Sequence, residues 1–390
     1  MIDSLQDILN RKLEERLPGK RSLTVISLVS NFTQLKQHLF PFTSSIPNPP
    51  IKKILIAFAE YDTLSSAIEL HLFKLNDRVL IYVSKVDSTG FGLTPSPMSI
   101  AIESVIHWAK VAFNLQVWLH IFSRAQNAYI FPNSEKNGKK RVLSDMQLQR
   151  WWKQTLDNLT PFRRWLFLPG FSQEEAIGII KVDNDWIYGN PHQSNQELNS
   201  RNLSSLIPYF EDDPKSRFLD ELANSAEALD GRSLKKPRRE SSKEENVSYK
   251  QNALDRISIE EFWERLGYRQ ECASGRVTGF FFLHFSREDG PIKETIEMNK
   301  TDQEIDISIE LFHRIHDLLT NSDFHTFEGA VSATSSWLNK IRTLIDNSQA
   351  YIAPNVKVDN PEKVKATADT EPVKAQVLTV RKKKRPASAV

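Results

Sequence analysis

The stretch LHLFKLNDRVLIYVSKVDSTG, residues 70–90, decides the fold class. Leu70 to Leu75 and Val79 to Lys85 flank Asn76 and Asp77, the turn residues expected where two strands fold back as a hairpin. Upstream, Ser22 to Val29 and Ile54 to Ala59 are β-branched or aliphatic runs bounded by polar and proline-rich segments, which reads as two more buried strands. Downstream, Ile102, Ile106, Ala109 and Phe113 recur at helical spacing from Ser99 to Phe113, and Val117 to Phe122 returns to strand-like composition. Strands and helices that intermingle in this way predict a mixed α/β (α+β) domain, a central mixed sheet surrounded by helices.

Working outward, the first 17 residues read as a short amphipathic helix carrying both charges. That composition is neither a signal peptide nor an acid-poor transit peptide. A helix from about Ser144 to Leu159 opens with the capping pair Ser144 and Gln147. It places Leu148, Trp152, Leu156 and Leu159 on one stripe and turns Trp151 about 100° away from Trp152. In PYFEDDPKSRFLD, residues 208–220, Asp213 caps a helix whose first position is Pro214. A capping box from Ser258 to Glu261 starts a helix ending at Gly267, a strand runs through Phe285, and helices follow near Ser308 to Thr320 and Glu328 to Asp346. Between about residues 224 and 252 the composition collapses to serine, lysine, arginine and glutamate, which predicts a disordered basic insertion. Beyond Tyr351 no periodic pattern survives. The expected organisation is one folded domain, residues 1–350, and a disordered basic tail, residues 351–390, ending VRKKKRPASAV.

Composition narrows the function. With 51 basic against 49 acidic residues the formal net charge is only +2, so an anionic partner must be met by local patches and not by a global field. One cysteine excludes internal disulfides and a cysteine-rich zinc module, and suits cytosol or nucleus. The densest apolar run, Gly279 to Phe285, is far shorter than the roughly 18 residues a bilayer demands, so no membrane partner is expected.

Three segments carry chemistry-bearing residues: the strand end around Asp87 and Ser88, the basic loop and tandem tryptophans of FPNSEKNGKKRVLSDMQLQRWW (residues 131–152), and FEDDPKSR (residues 210–217). Each has an ordinary structural explanation as turn residues, solvated loop or helix start. No metal is expected: His313 and His316 are three apart, not the four apart of an HExxH zinc helix. No glycine-rich phosphate loop is present either. From these residues alone an enzyme, a transferase of some other group, and a non-enzymatic scaffold binding histone or nucleic acid through Lys235 to Arg239 and Arg381 to Arg385 all remain open.

The order and wording of four blocks resolve the choice. LIYVSKVDSTGF (residues 80–91), FSRAQNAYIFPNSEKNGKKRVL (122–143), the tryptophan pair at 151–152, and IPYFEDDPKSRFLDELA (207–223) resemble the corresponding blocks of the fungal histone H3 lysine acetyltransferases of the regulator-of-transposition type. That family resembles the metazoan p300-type histone acetyltransferases in fold. The resemblance implies acetyl transfer from acetyl-CoA to lysines of histone H3, chiefly lysine fifty-six of the globular core and also tail lysines, in the nucleus. It places the activity in replication-coupled nucleosome assembly and the DNA damage response. The implied partners are histone H3–H4 and two histone chaperones, a nucleosome-assembly-protein relative and an anti-silencing chaperone. Whether the basic tail contacts histone, chaperone or DNA is left open.

The resemblance also carries roles to residues. It assigns Asp213 as the acid/base group with Asp212 beside it, and has Asp87 and Trp152 line the route of the substrate lysine. Lys215 matches the family's autoacetylated lysine. The acetyl-CoA site is assigned to Val86, Asp87 and Ser88, to the loop Pro97, Met98, Ser99, Ile100 and Ala101, and to Phe122, Arg124, Gln126, Tyr129, Arg141, Val142, Leu143 and Trp151. Arg124 and Arg141 suit phosphate because the guanidinium offers a fork of charged donors. Arg141 stands where the compared member has histidine.

Overall fold

A computed structural model describes residues 3–181, 185–191, 203–229, 250–269, 276–287 and 306–361. The chain builds one ten-stranded mixed sheet. Helix α1 (Leu5–Arg16), capped by Ser4, leads into β1 (Gly19–Val29), a short β2 (Thr33–Gln34), β3 (Pro50–Glu60), β4 (Thr63–Lys74) and β5 (Arg78–Ser88). Helix α2 (Met98–Phe113) then crosses to β6 (Gln116–Ser123), which lies parallel to β5. After α3 (Asp145–Asp157) come β7 (Arg163–Phe167), α4 (Gln173–Ile180), β8 (Ile187–Tyr188), α5 (Leu203–Leu206), α6 (Pro214–Leu229) and α7 (Ile259–Gly267). The last elements are β9 (Gly279–Phe285), α8 (Ile309–Thr320), α9 (Phe327–Leu344) and β10 (Ile352–Asn360). The spatial order is β10-β1-β3-β4-β5-β6-β9-β7-β8, with β2 paired to β3.

The expected hairpin is present. Lys74 pairs with Val79, and the Leu75 amide donates to the Arg78 carbonyl at 2.9 Å, with Asn76 and Asp77 at the turn. The preceding β3–β4 turn has Tyr61 and Asp62 at φ of 51° and 62°, the left-handed pair that matches the twist of flanking strands. The central strands read as unbroken apolar runs because both faces are covered. On β3, Ile54, Ile56 and Phe58 enter the core under α1, α2 and α3, while Leu55, Ala57 and Ala59 enter a second core under α8 and α9. A third aromatic cluster, including Trp165, Phe218, Phe262, Trp263 and Phe280, joins α6 and α7 to β7 and β9.

The structure corrects the boundaries at two places. Helix α6 runs on to Leu229 and residues 250–254 are helical, so residues 224–229 and 250–252 do not belong to the disordered insertion expected at about 224–252. Residues 230–249, including Lys235 to Arg239, lie outside the described residues. The tail does not begin at 351: Ile352 to Asn360 pairs antiparallel with β1, from Gly19↔Asn360 to Ile26↔Ile352. Its alternation is interrupted by Pro354 and by Asn355 at φ 61°, which hides the strand period in the sequence even though Ile352, Val356 and Val358 are buried. The Arg381 to Arg385 block lies outside the described residues. Among the described residues no helix is long and apolar enough to cross a membrane.

Candidate active site

The parallel pair β5 and β6, joined through α2, sets the site. At such a crossover the carboxyl ends of the two strands and the amino end of the helix open onto the same crevice, where α/β proteins bind ligands. Val86, Asp87 and Ser88 end β5, Pro97 to Ala101 begin α2, and Phe122 and Arg124 leave β6. Helix α2 starts without a side-chain cap and without an acidic residue in its first turn. Its leading amides and positive dipole end therefore suit an anion. The side chains of Met98, Ile100 and Ala101 are buried in the core, so only the backbone of this turn is offered, and the Ser99 hydroxyl donates to the Thr155 carbonyl of α3 at 2.9 Å. That bond sets α3, with its capping box from Ser144 to Gln147, alongside the crevice.

The fold also brings the FEDDPKSR block here, from more than a hundred residues away in sequence. Phe210 stacks on Tyr82 of β5 with centroids 4.2 Å apart and meets His120 of β6 edge-on at 5.8 Å. Asp213 is buried at the start of α6, where its Oδ1 accepts from the Lys215 amide at 2.9 Å and its Oδ2 from the Lys215 ammonium. Lys215 is itself buried, with its ammonium 4.4 Å from the centroid of Phe280, and Phe280 in turn packs against Phe122 at 5.1 Å. The Asp213–Lys215 pair thus lies one aromatic ring away from Phe122 of β6. Burial holds the Tyr82 hydroxyl well above its ordinary pKa, with Asp213 and Asp212 pushing the same way. Tyr129 is raised too, by burial first, against the opposing Arg124 and with Asp212 and Asp87 adding to it. Its hydroxyl donates to the Arg124 carbonyl at 3.1 Å. Asp212 is exposed, as are Ser88, Gln126, Arg141 and Val142, while Val86, Phe122, Arg124, Tyr129, Leu143 and Trp151 are half-buried.

Two assigned residues sit differently from expectation. Trp152 is 4% exposed and packed in the core with Leu156 and Met98, while Trp151, 4.9 Å from it in an edge contact, is the more accessible ring. The helical stripe accounts for this, since Trp152 shares it with Leu148, Leu156 and Leu159. Asp87 is equally committed. Its Oδ2 accepts from the amides of Tyr129, Ile130 and Phe131 at 2.8, 2.9 and 3.0 Å, and its Oδ1 from the Ser88 amide at 2.8 Å and the Lys140 ammonium at 2.7 Å. A carboxylate with five donors holds the loop that follows β6.

Several contributors have no signature in the sequence. Asn137 donates from Nδ2 to the Thr89 carbonyl at 2.7 Å, and Gly90, at φ 89°, lies so close to Lys140 that a Cβ there would stand 2.6 Å from its backbone. The loop from Gly90 to Pro97 is tied down by buried Arg21, which donates to the Pro95 carbonyl at 2.6 Å, and by Glu60, which accepts from the Leu93 amide at 3.3 Å. On β4, buried Glu69 meets Lys85, His71 and His316 at 3.2, 3.1 and 3.2 Å. Burial pushes the Glu69 carboxyl up, but bonds from His316 and His71 and the charge of Lys85 together hold it well below the usual carboxylate range. Among the described residues no group of three or more His, Cys, Asp or Glu is arranged to hold a metal.

Known proteins share this chain's sequence and fold. The profile of the histone acetyltransferase KAT11-type domain matches residues 99–340, more than half of the chain. A histone acetyltransferase rtt109 of Schizosaccharomyces pombe is 28% identical over 330 residues, covering 78% of this chain and 79% of the relative. The Candida albicans histone acetyltransferase RTT109 is 25% identical over 227 residues, covering 57% of this chain and 52% of that one. In fold, the crystal structure of Rtt109 from Aspergillus fumigatus matches with a TM-score of 0.73 at 21% identity, over 90% of this chain and 99% of that one. A crevice at a parallel crossover, a buried Asp–Lys pair over an aromatic floor and this family match lead to one conclusion: the chain belongs to the KAT11-type histone acetyltransferases and is an enzyme of the fungal Rtt109 kind.

Proposed function

We propose that the chain transfers acetyl from acetyl-CoA to lysines of histone H3, chiefly lysine fifty-six of the globular core and also tail lysines. It acts with histone chaperones in the nucleus, in replication-coupled nucleosome assembly and the DNA damage response. The observation that carries the reading is the packing of the segment that leads into Asp213 on β5 and β6, where Phe210 stacks on Tyr82 and meets His120 edge-on. The uncapped α2 amides, half-buried Arg124 and exposed Arg141 suit the pyrophosphate of the donor, whose thioester supplies the activated acetyl group.

A lysine amine with an ordinary pKa of about 10.4 is almost wholly charged at neutral pH and must lose a proton before it attacks. Asp213 is suited to take that proton, because aromatic walls disfavour a charged amine while the carboxylate attracts it. Asp212, exposed beside it, attracts the incoming cation. Lys215 acetylation would remove the ammonium on Asp213 and so return an acceptor site to the carboxylate. Trp152 supports the wall from beneath, and Trp151 presents the accessible ring.

The test is acetyl transfer to purified H3–H4, with and without each chaperone, read by mass spectrometry. Acetylation at lysine fifty-six that rises with a chaperone supports the reading. Unmodified histones in the presence of both chaperones would sink it.

A further inference from the structure

We propose that Lys140 is a positioning residue for the acyl donor: acting through Asp87, it clamps the basic loop onto the end of β5 and so sets where Arg141 to Leu143 stand. The inference rests on the acetyl-CoA reading above for its consequence, although the clamp itself is independent of it. Lys140 is one of four cations between Lys136 and Arg141, and sequence alone groups it with the others in a solvated basic loop. Its side chain is instead 5% exposed, and its ammonium donates to Asp87 Oδ1 and to the Ser134 hydroxyl, both at 2.7 Å.

These bonds close a ring. Ser134 Oγ donates to the Phe131 carbonyl at 2.6 Å, and the Phe131 amide donates to Asp87 Oδ2 at 3.0 Å, so Asp87, Lys140, Ser134 and Phe131 hold one another. The Lys140 backbone is pinned as well, its amide bonded to the Asn137 carbonyl at 2.9 Å and its Cα against Gly90. The next residue, Arg141, is exposed. Removing the Lys140 charge leaves the Asp87 carboxylate buried without its cation, and the loop can relieve that only by moving away from β5. Replacing both charged groups by neutral ones of similar shape removes the uncompensated charge and keeps one oxygen to accept the three loop amides, losing only the acceptor of the Ser88 amide.

The experiment compares the full chain with Lys140→Met, Asp87→Asn and the double variant. It reads KM for acetyl-CoA, kcat on H3–H4, and amide hydrogen exchange over residues 129–143. Lys140→Met is expected to raise KM for acetyl-CoA about tenfold or more with kcat within about twofold, and to speed exchange at Tyr129 to Phe131. The double variant is expected to lie nearer the wild type than Lys140→Met does. Unchanged KM and exchange in Lys140→Met, a loss confined to kcat, or strictly additive losses in the double variant would each overturn the proposal. Should the methionine variant fail to fold, Lys140→Gln, which retains a donor toward Asp87, takes its place with the same expected direction. A wild-type chain that binds no acetyl-CoA would overturn the donor reading instead. The exchange comparison would then still decide the clamp.

Discussion

Two buried aspartate–lysine pairs, Asp87 with Lys140 and Asp213 with Lys215, are built oppositely. The first joins residues 53 apart in sequence, and its carboxylate accepts five hydrogen bonds, four of them from backbone amides. The second is local, two residues apart, and among the described residues its carboxylate accepts only from Lys215, against the aromatic rings of Tyr82, Phe210 and Phe280. A carboxylate whose lone pairs are taken by backbone amides fixes the chain around it. One whose partner is a single neighbouring ammonium keeps acceptor capacity, and that is what proton transfer requires. The same two residue types therefore serve architecture in one place and suit chemistry in the other.

The sharpest way to break this comparison is Asp213→Asn. Turnover on H3–H4 should fall by about a hundredfold or more, while acetyl-CoA affinity by titration calorimetry stays within about twofold. Equal turnover would strip Asp213 of its assigned role. The converse arm is stability: Asp87→Ala leaves Lys140 and three loop amides without their acceptor and should cost about 3 kcal/mol or more in urea unfolding. If Asp213→Ala costs as much, the structural contrast between the two pairs fails. Arg124→Ala should weaken acetyl-CoA binding about tenfold and leave unfolding nearly unchanged, which separates donor contacts from clamp contacts.

The smallest effect concerns a third carboxylate. Glu69 is held below its ordinary range by His316, His71 and Lys85. A depressed carboxylate contributes stability above its unfolded value of about 4.3, and that contribution is lost as pH falls below it. Glu69→Gln should therefore cost about 1–2 kcal/mol at pH 7 and progressively less toward pH 3. A cost that does not shrink in acid would show that packing, and not charge, ties α8 to β4.

Much of the fold was legible locally. The hairpin at Asn76–Asp77, the caps at Ser144 and Ser258, and the helix starting at Pro214 each rest on contacts within a few residues, which a sequence displays directly. Strand β7, helix α4 and strand β10 were not legible. The first two are short, and the third interrupts its own alternation at Pro354 and Asn355. In the site, the assigned blocks do converge, but Trp152 proves to be core and Asp87 a loop anchor, because burial and bonding partners are properties of the assembled sheet.

The sequence by itself determined the elements with an uninterrupted pattern, the caps at Ser144 and Ser258 and the four blocks that mark the family, since these depend on periodicity and on neighbours one helical turn away. Only the tertiary structure decided that Lys140 faces Asp87 and not solvent, that β10 closes onto β1, and that the segment before Asp213 packs on β5. Such partners are chosen when distant segments compete to bury surface and satisfy each other's polar groups, and no local pattern in the chain records which of them wins.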